Sequence, residues 1–345
     1  MTSDEIIQRN NTRVGEALVA LHLTHTSFLI TGVTGLIGSF LVRSILEANK
    51  TFGCHNTIIA FARNRAKVDA MFAPYLTLDS IRFVFQDITE PLEAVKADYI
   101  IHCAGNTDSL VMIEKPVETG LDIVKGLQNI LSFSLATKPK KIVNLSSMEV
   151  YGKKDNPEAF SVLSETALGG TDPSCVRNCY PVAKLMGESL CASYASEYDV
   201  PVVTARLAQT FGYGMNPQDH RIFAQIIKSA QNKDDIILRT KGDKVYNFCY
   251  LSDVATALLT LLHDGVAGES YNIVNADEQY TIASMAHMVA SQIMHDEIKV
   301  VVEEDEVISS RYPSSTHWAL SDKKLKSLGW QAHVGLEEAM RENIL

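Results

Sequence analysis

Basic charge is scarce in this sequence. Its 31 Lys and Arg stand against 41 Asp and Glu, and the formal net charge is −10. A chain so balanced, with no basic block, offers no cationic surface to nucleic acid or to an anionic membrane. Any polyanionic ligand must then be held by a few placed cations and by backbone amides. Long apolar runs are also missing: none approaches the roughly 18 residues that cross a bilayer. The first residues, Met1-Thr2-Ser3-Asp4-Glu5, carry acid and lack the basic start and apolar stretch of a secretory signal. Six cysteines (Cys54, Cys103, Cys175, Cys179, Cys191, Cys249) form no CxxC pair and no framework typical of small secreted domains. Cys175 and Cys179 are spaced for one helix face, yet no histidine cluster accompanies them, so no metal site is expected. These absences predict a reduced, cytoplasmic protein without membrane or nucleic-acid partners.

What is present is an ordinary apolar content of 46% in 345 residues, enough for a large core and two lobes. Residues 4–21 place Ile6, Ile7, Val14, Leu18 and Leu21 at helical spacing, an N-terminal helix that covers the sheet or an interface. Short apolar runs then alternate with helical segments. Strands are expected at 27–31, 57–62, 82–85, 97–102, 141–145 and 202–205. Helices are expected at 37–48, 123–136 and 180–198. This alternation implies an α/β fold, a doubly wound parallel sheet with helices on both faces. After Phe211 the rhythm changes, with turn residues Gly212, Gly214, Asn216 and Pro217. Helices at 222–231, 281–294 and 336–341 and a short strand at 236–239 read as a smaller mixed α/β lobe for substrate. A strand end and helix at 250–262 and a strand at 270–275 return to the first lobe. The expected division is 1–210 with 250–275 for the dinucleotide lobe, and 211–249 with 276–345 for the substrate lobe. No internal repeat or low-complexity tract appears.

Directly after the first strand stands Thr31-Gly32-Val33-Thr34-Gly35-Leu36-Ile37-Gly38, opening a helix. Gly32 allows the tight turn, Gly35 a close backbone approach to a pyrophosphate, and Gly38 close helix–strand packing. The phosphates face helix N-terminal amides, which assigns Gly32, Thr34, Gly35, Leu36, Ile37 and Gly38 to a dinucleotide. An NAD site needs an acid at the end of the second strand to accept the ribose hydroxyls. Here that strand ends Ala60-Phe61-Ala62-Arg63-Asn64-Arg65, with two arginines and no acid. Guanidinium groups match a 2′-phosphate, so Arg63 and Arg65 favour NADP over NAD. Far downstream, Tyr180 and Lys184 lie one helical turn apart on one face. The Lys184 ammonium favours a tyrosinate, a base able to take a hydroxyl proton while hydride leaves to a nicotinamide ring.

The glycine motif followed about 145 residues later by Tyr180-x-x-x-Lys184 resembles the short-chain dehydrogenase/reductase superfamily, in its extended, nucleotide-sugar-modifying branch. The segment Asn144-Leu145-Ser146-Ser147-Met148-Glu149-Val150-Tyr151-Gly152 is similar to that branch's Ser/Thr-x-x-Val-Tyr-Gly stretch. The resemblance spans about 27–330. It implies that Ser147 hydrogen-bonds the reacting hydroxyl, that Asp87-Ile88 contacts adenine, and that Cys103-Ala104-Gly105 forms the small-residue turn under the cofactor. It further implies a Rossmann fold and a homodimer built on helices 107–136 and 180–198, the second presenting Leu185, Met186, Leu190, Tyr194 and Tyr198. Chemistry in this branch begins with C4 oxidation of a nucleotide-linked hexose. Epimerisation, 4,6-dehydration or decarboxylation follows. Dehydratases carry Asp-Glu directly after the Ser/Thr; here Met148 replaces the Asp and Glu149 matches the Glu. Decarboxylases also carry this Glu, and Arg311-Tyr312-Pro313-Ser314 resembles their Arg-x-Pro-Ser segment. The chain departs from the pattern at three places. Tyr246 stands where relatives have a diphosphate-gripping Arg, Gln209 replaces the usual Asn, and Ile123 replaces an Asn near the cofactor ribose. Ser147, Gln209, Arg221, Tyr246 and Arg311 are the expected substrate contacts. An NADPH-dependent ketoreductase and a non-catalytic dinucleotide-sensing module are the competing readings.

Overall fold

The computed structural model describes residues 2–152, 160–215, 219–305 and 317–344. Its centre is a parallel sheet in the order β12-β7-β5-β4-β1-β2-β3. These strands are β1 (Ser27–Thr31), β2 (Thr57–Ala62), β3 (Ile81–Phe85), β4 (Tyr99–His102), β5 (Lys141–Ser147), β7 (Val202–Leu207) and β12 (Ser270–Ile273). All six pairings are parallel, with Leu29 level with Ile59 on one side and Ile100 on the other. Strands such as Phe-Leu-Ile in β1 are apolar on both faces because both faces are covered.

One face is covered by α1 (Ser3–Ala20), α2 (Leu36–Thr51) and α8 (Leu251–Asp264), whose Val14, Leu18, Leu41, Ile45 and Leu258 are fully buried with Phe28 and Ile30. The opposite face is covered by α5 (Pro116–Thr137) and α6 (Cys179–Tyr198), through Leu127, Ile130, Leu131 and Cys191. Each such side chain contributes about 1.5–3 kcal/mol of burial. Strand order reverses between β1 and β4. In an open parallel sheet this reversal leaves a crevice at the strands' carboxyl ends, where ligands bind.

A second core lies beyond that crevice. It joins Phe211 of β8 (Gln209–Phe211), α7 (Ile222–Asn232), Tyr246, β11 (Phe248–Tyr250), α9 (Ile282–Met288) and the last helix, here α11 (Leu336–Ile344). Residues 289–293 continue α9 as a π-turn, so the single helix expected at 281–294 changes its hydrogen-bond pattern midway. A short helix α3 (Arg65–Phe72), which the sequence reading passed over, follows β2 with Asn64 as its cap. No helix among the described residues is long and apolar enough to cross a membrane.

Candidate active site

At the crevice, the turns after β1 and β4 touch. Gly32 has φ +65°, and a Cβ there would meet the backbone of Ala104 and Cys103 at 2.8 Å. A Cβ on Gly38 would lie 2.5 Å from the Gly32 carbonyl oxygen. The Gly35 amide donates to that same oxygen at 2.9 Å. Beneath the turn, Thr31 Oγ1 lies 2.9 Å from His102 Nδ1 and accepts from the Ala104 amide at 3.1 Å. Burial holds His102 neutral, its pKa lowered to about 3, with the Lys184 charge acting the same way. The result is a bare backbone cradle that any side chain would fill, leading into the amino end of α2. Such a cradle fits a dinucleotide pyrophosphate. The small residues Val33 and Thr34 complete the turn, and Leu36 and Ile37 begin α2.

At the expected adenosine end, Arg63 reaches Asp87 at 3.5 Å, and the Arg65 guanidinium lies 3.9 Å from the centre of the Phe85 ring. Asp87 Oδ1 accepts from the backbone and hydroxyl of Thr89, which holds its carboxyl below the usual range. Ile88 packs against Gly126 of α5, and its carbonyl accepts from Asn129.

β5 delivers Ser147 to the crevice, where its hydroxyl caps the short turn Met148–Tyr151 by accepting from the Glu149 amide at 3.2 Å. The first turns of α6 deliver Tyr180 and Lys184, only 5% and 8% exposed. The Ser147 hydroxyl stands near the Tyr180 phenol. Burial foremost, and the Glu149 charge next, push that phenol up to about 12, while Ser147, Arg177 and Arg221 pull the other way. Lys184 Nζ donates to the Leu145 carbonyl at 2.6 Å and lies 5.8 Å from the centre of the Tyr180 ring. Burial lowers Lys184 to about 8. A Cβ on Gly105 would stand 3.7 Å from its Nζ, so the turn after β4 and the lysine share one pocket. Burial pushes the neighbouring Cys103 thiol up to about 12, leaving it unreactive. Ile123 packs with Met112, Tyr180 and Ala183 and so lines the phenol.

Two groups that the sequence reading did not single out complete this centre. Arg177 holds Glu149 by two contacts of 3.1 Å, both residues about one-third exposed. Its place three residues before Tyr180 was the available signal. Behind β5, Glu188 accepts from Ser146 at 2.5 Å and pairs with buried Arg206 at 2.7 Å. Arg206 in turn reaches the Tyr151 hydroxyl, which donates to Asn272. This network fixes the strand end that carries Ser147.

On the substrate side, Arg221 pairs with Asp219 at 2.6 Å and donates to the Thr210 carbonyl at 3.2 Å. Tyr246 is buried, stacked on Phe248 at 6.3 Å, and feels the charges of Arg221 and Asp219. Its hydroxyl has no hydrogen-bond partner among the described residues. Gln209 is half-buried in β8, its amide donating to the Asn247 carbonyl at 3.0 Å. Arg311 lies outside the described residues.

Residues 28–275 match the model of the NAD dependent epimerase/dehydratase family. The chain is 28% identical to UDP-glucuronic acid decarboxylase 6 of Arabidopsis thaliana, over 90% of this chain and 86% of that one. It is 24% identical to dTDP-D-glucose 4,6-dehydratase of Homo sapiens, over 92% and 88%. Among solved structures, an epimerase from Methanothermobacter thermautotrophicus has the same fold, with TM-score 0.77, 18% identity and 96% and 94% coverage. UDP-glucuronic acid 4-epimerase from Bacillus cereus, solved with UDP-glucuronic acid and NAD, gives 0.73, 20%, 92% and 98%. The match covers more than half of the chain and includes the glycine turn, Ser147, Tyr180 and Lys184: this protein belongs to the NAD dependent epimerase/dehydratase family.

Proposed function

We propose that this chain oxidises C4 of a nucleotide-linked hexuronic acid and decarboxylates the resulting 4-keto sugar. The observation that carries the first step is the meeting of Ser147, Tyr180 and Lys184 beside the glycine cradle. Ser147 holds the C4 hydroxyl and Tyr180 takes its proton. Lys184 places positive charge behind the phenol, offsetting the burial that otherwise keeps it protonated. Bound NAD(P) supplies the acceptor for the C4 hydrogen and later returns it.

The second step is supported by the Glu149–Arg177 pair beside Tyr180. A C4 ketone makes the C6 carboxylate a β-keto acid. The C5–C6 bond then breaks, CO2 leaves, and the electron pair passes through C5 into the ketone as an enolate. A proton delivered to C5 restores the 4-keto sugar before reduction. Arg177 is a cation suited to the C6 carboxylate, and Glu149 is suited to the proton at C5. Met148 offers no acid for dehydration. The relatives named UDP-glucuronic acid decarboxylase add weight. A second reading, an NADPH-dependent ketoreductase, is favoured by Arg63 and Arg65 and needs neither Glu149 nor Arg177.

UDP-glucuronic acid is the first substrate to test. Tyr180→Phe is expected to keep the fold and to lose roughly 10²–10⁴ in turnover, the usual worth of a positioned base. Glu149→Gln is expected to release CO2 yet to accumulate reduced dinucleotide and form little final pentose, because C5 is not reprotonated, followed by stopped-flow absorbance and product analysis. Near-normal turnover in Tyr180→Phe sinks the mechanism. Unchanged product in Glu149→Gln removes Glu149 from the C5 proton transfer, and a wild type that releases no CO2 removes decarboxylation alone.

A further inference from the structure

Helix α1 precedes the residues matched by the family model, 28–275, yet it is bound into the substrate side of the molecule. Its apolar stripe, Val14 and Leu18, is fully buried in the core it shares with α2 and α8. Its polar residues reach further. Arg9 Nη1 pairs with Glu338 of α11 at 2.5 Å, and Arg9 Nη2 pairs with Glu342 of the same helix. Asn10, 4% exposed, donates to the Tyr250 hydroxyl at 3.3 Å. That hydroxyl donates to Glu342 at 2.5 Å and accepts from the Tyr213 amide at 3.3 Å.

A phenol has one proton to donate and two lone pairs. All three are engaged here, by α1, by α11 and by the loop that follows β8. The loop is further fixed at Gly212, where a Cβ would come 2.6 Å from Leu251 Cβ. Tyr250 also pairs through its strand with Phe211 of β8, and Arg221 is tied to Thr210 of the same strand. The Arg221 charge acts on Tyr180. Contacts therefore run from the first helix through Tyr250 and β8 to Arg221, whose charge is felt at the catalytic phenol. Glu342 is 7% exposed, and a carboxylate so buried needs its partners, since removing one leaves a bare charge.

We propose that α1 is a strut that sets the Tyr213 turn and, through β8, Arg221, with Arg9, Asn10 and Glu342 as positioning residues for nucleotide-sugar binding. The proposal rests on the nucleotide-sugar reading above. A helix that merely stabilised the fold would affect both ligands alike. A strut affects the nucleotide-sugar side and leaves the dinucleotide cradle unchanged, because the Arg9 and Asn10 side chains reach α11 and Tyr250 and not the turn after β1.

The test uses the full chain, with Asn10→Ala and Arg9→Met compared with wild type. Calorimetry with UDP and with NAD is combined with hydrogen exchange of the Tyr213 amide, which needs no ligand. Each variant is expected to speed Tyr213 exchange and to raise the UDP Kd by roughly tenfold, the scale of one lost hydrogen bond, with the NAD Kd unchanged. Should Arg9→Met fail to fold, Arg9→Met/Glu342→Gln removes both charges together and carries the same expectation. Unchanged Tyr213 exchange, or equal weakening of UDP and NAD, overturns the strut. Failure of the wild type to bind UDP counts against the nucleotide reading instead, and the Tyr213 exchange rate then decides the strut alone.

Discussion

Lys184 shows how a catalytic residue costs stability. Its ammonium is buried and donates to the Leu145 carbonyl, yet its pKa falls from the ordinary 10.5 to about 8 because desolvation outweighs that bond. The unfolded chain therefore binds the proton more tightly than the folded one. The cost is fully present below about pH 8 and disappears as pH rises from there to 10.5. A depression of this size corresponds to roughly 3 kcal/mol, net of the hydrogen bond the ammonium makes. Lys184→Met is expected to abolish turnover and, in the protein without dinucleotide, to gain about 1–3 kcal/mol at pH 7 in urea unfolding. The gain should shrink by pH 10, and an identical pH dependence in both proteins would contradict the assignment. Arg63 and Arg65 carry a second expectation. Replacing both with Ala should weaken NADP by about 1.5–3 kcal/mol for each charged hydrogen bond lost, while NAD binding barely changes. Arg65 already lies on the Phe85 ring and Arg63 beside Asp87, so both are placed at the end of β2 without being locked there. Equal loss for both dinucleotides, or a native preference for NAD, would refute the role of these arginines.

At the scale of elements, the sheet was legible because each central strand is apolar on both faces and each covering helix repeats at helical spacing. The glycine turn and the Tyr180–Lys184 face were legible because a turn and a helix fix them locally. Other features depend on contacts between distant residues. Helix α3 buries only Val68 and Phe72, too few for a pattern, so the sequence predicts no helix after β2. Helix α5 begins at Pro116 and not at Ile123, because its first turns expose Val117 and Leu121. The Glu149–Arg177 pair spans 28 residues, and the Glu188–Arg206 pair has no local signature. Tyr246, read as standing in for a diphosphate-binding cation, is a buried ring of the second core. Its orphan hydroxyl faces the Arg221 region, a placement that strand spacing alone does not give.

At the scale of the whole molecule, helix α6 divides its duties between two faces. Tyr180, Ala183, Lys184 and Gly187 face inward, while Val182 and Met186 point out, 36% and 48% exposed. Of the other residues read as presented by this helix, Leu185, Leu190 and Tyr194 pack within the subunit, and Tyr198 is exposed. Beside α6, the helix α4 (Ser109–Glu114) and the start of α5 expose Leu110, Ile113, Val117 and Leu121, from 48% to 66%. So many exposed apolar side chains on three successive helices are unusual on a monomer. A second copy related by a two-fold axis would cover them, giving the four-helix arrangement that the superfamily resemblance implies. Light scattering at micromolar concentration is expected to give twice the 38.0 kDa of one chain. Val117→Glu with Leu121→Glu, placing charge where those side chains must be desolvated, should give a single-chain mass with NAD affinity retained, because the glycine cradle lies on β1 and α2. Turnover should fall with the mass, since Ile123 of α5 packs directly on Tyr180 and both helices lose their outer support together. A wild-type mass near 38.0 kDa would leave those apolar side chains to some other partner and remove the dimer from the account of how Tyr180 is held.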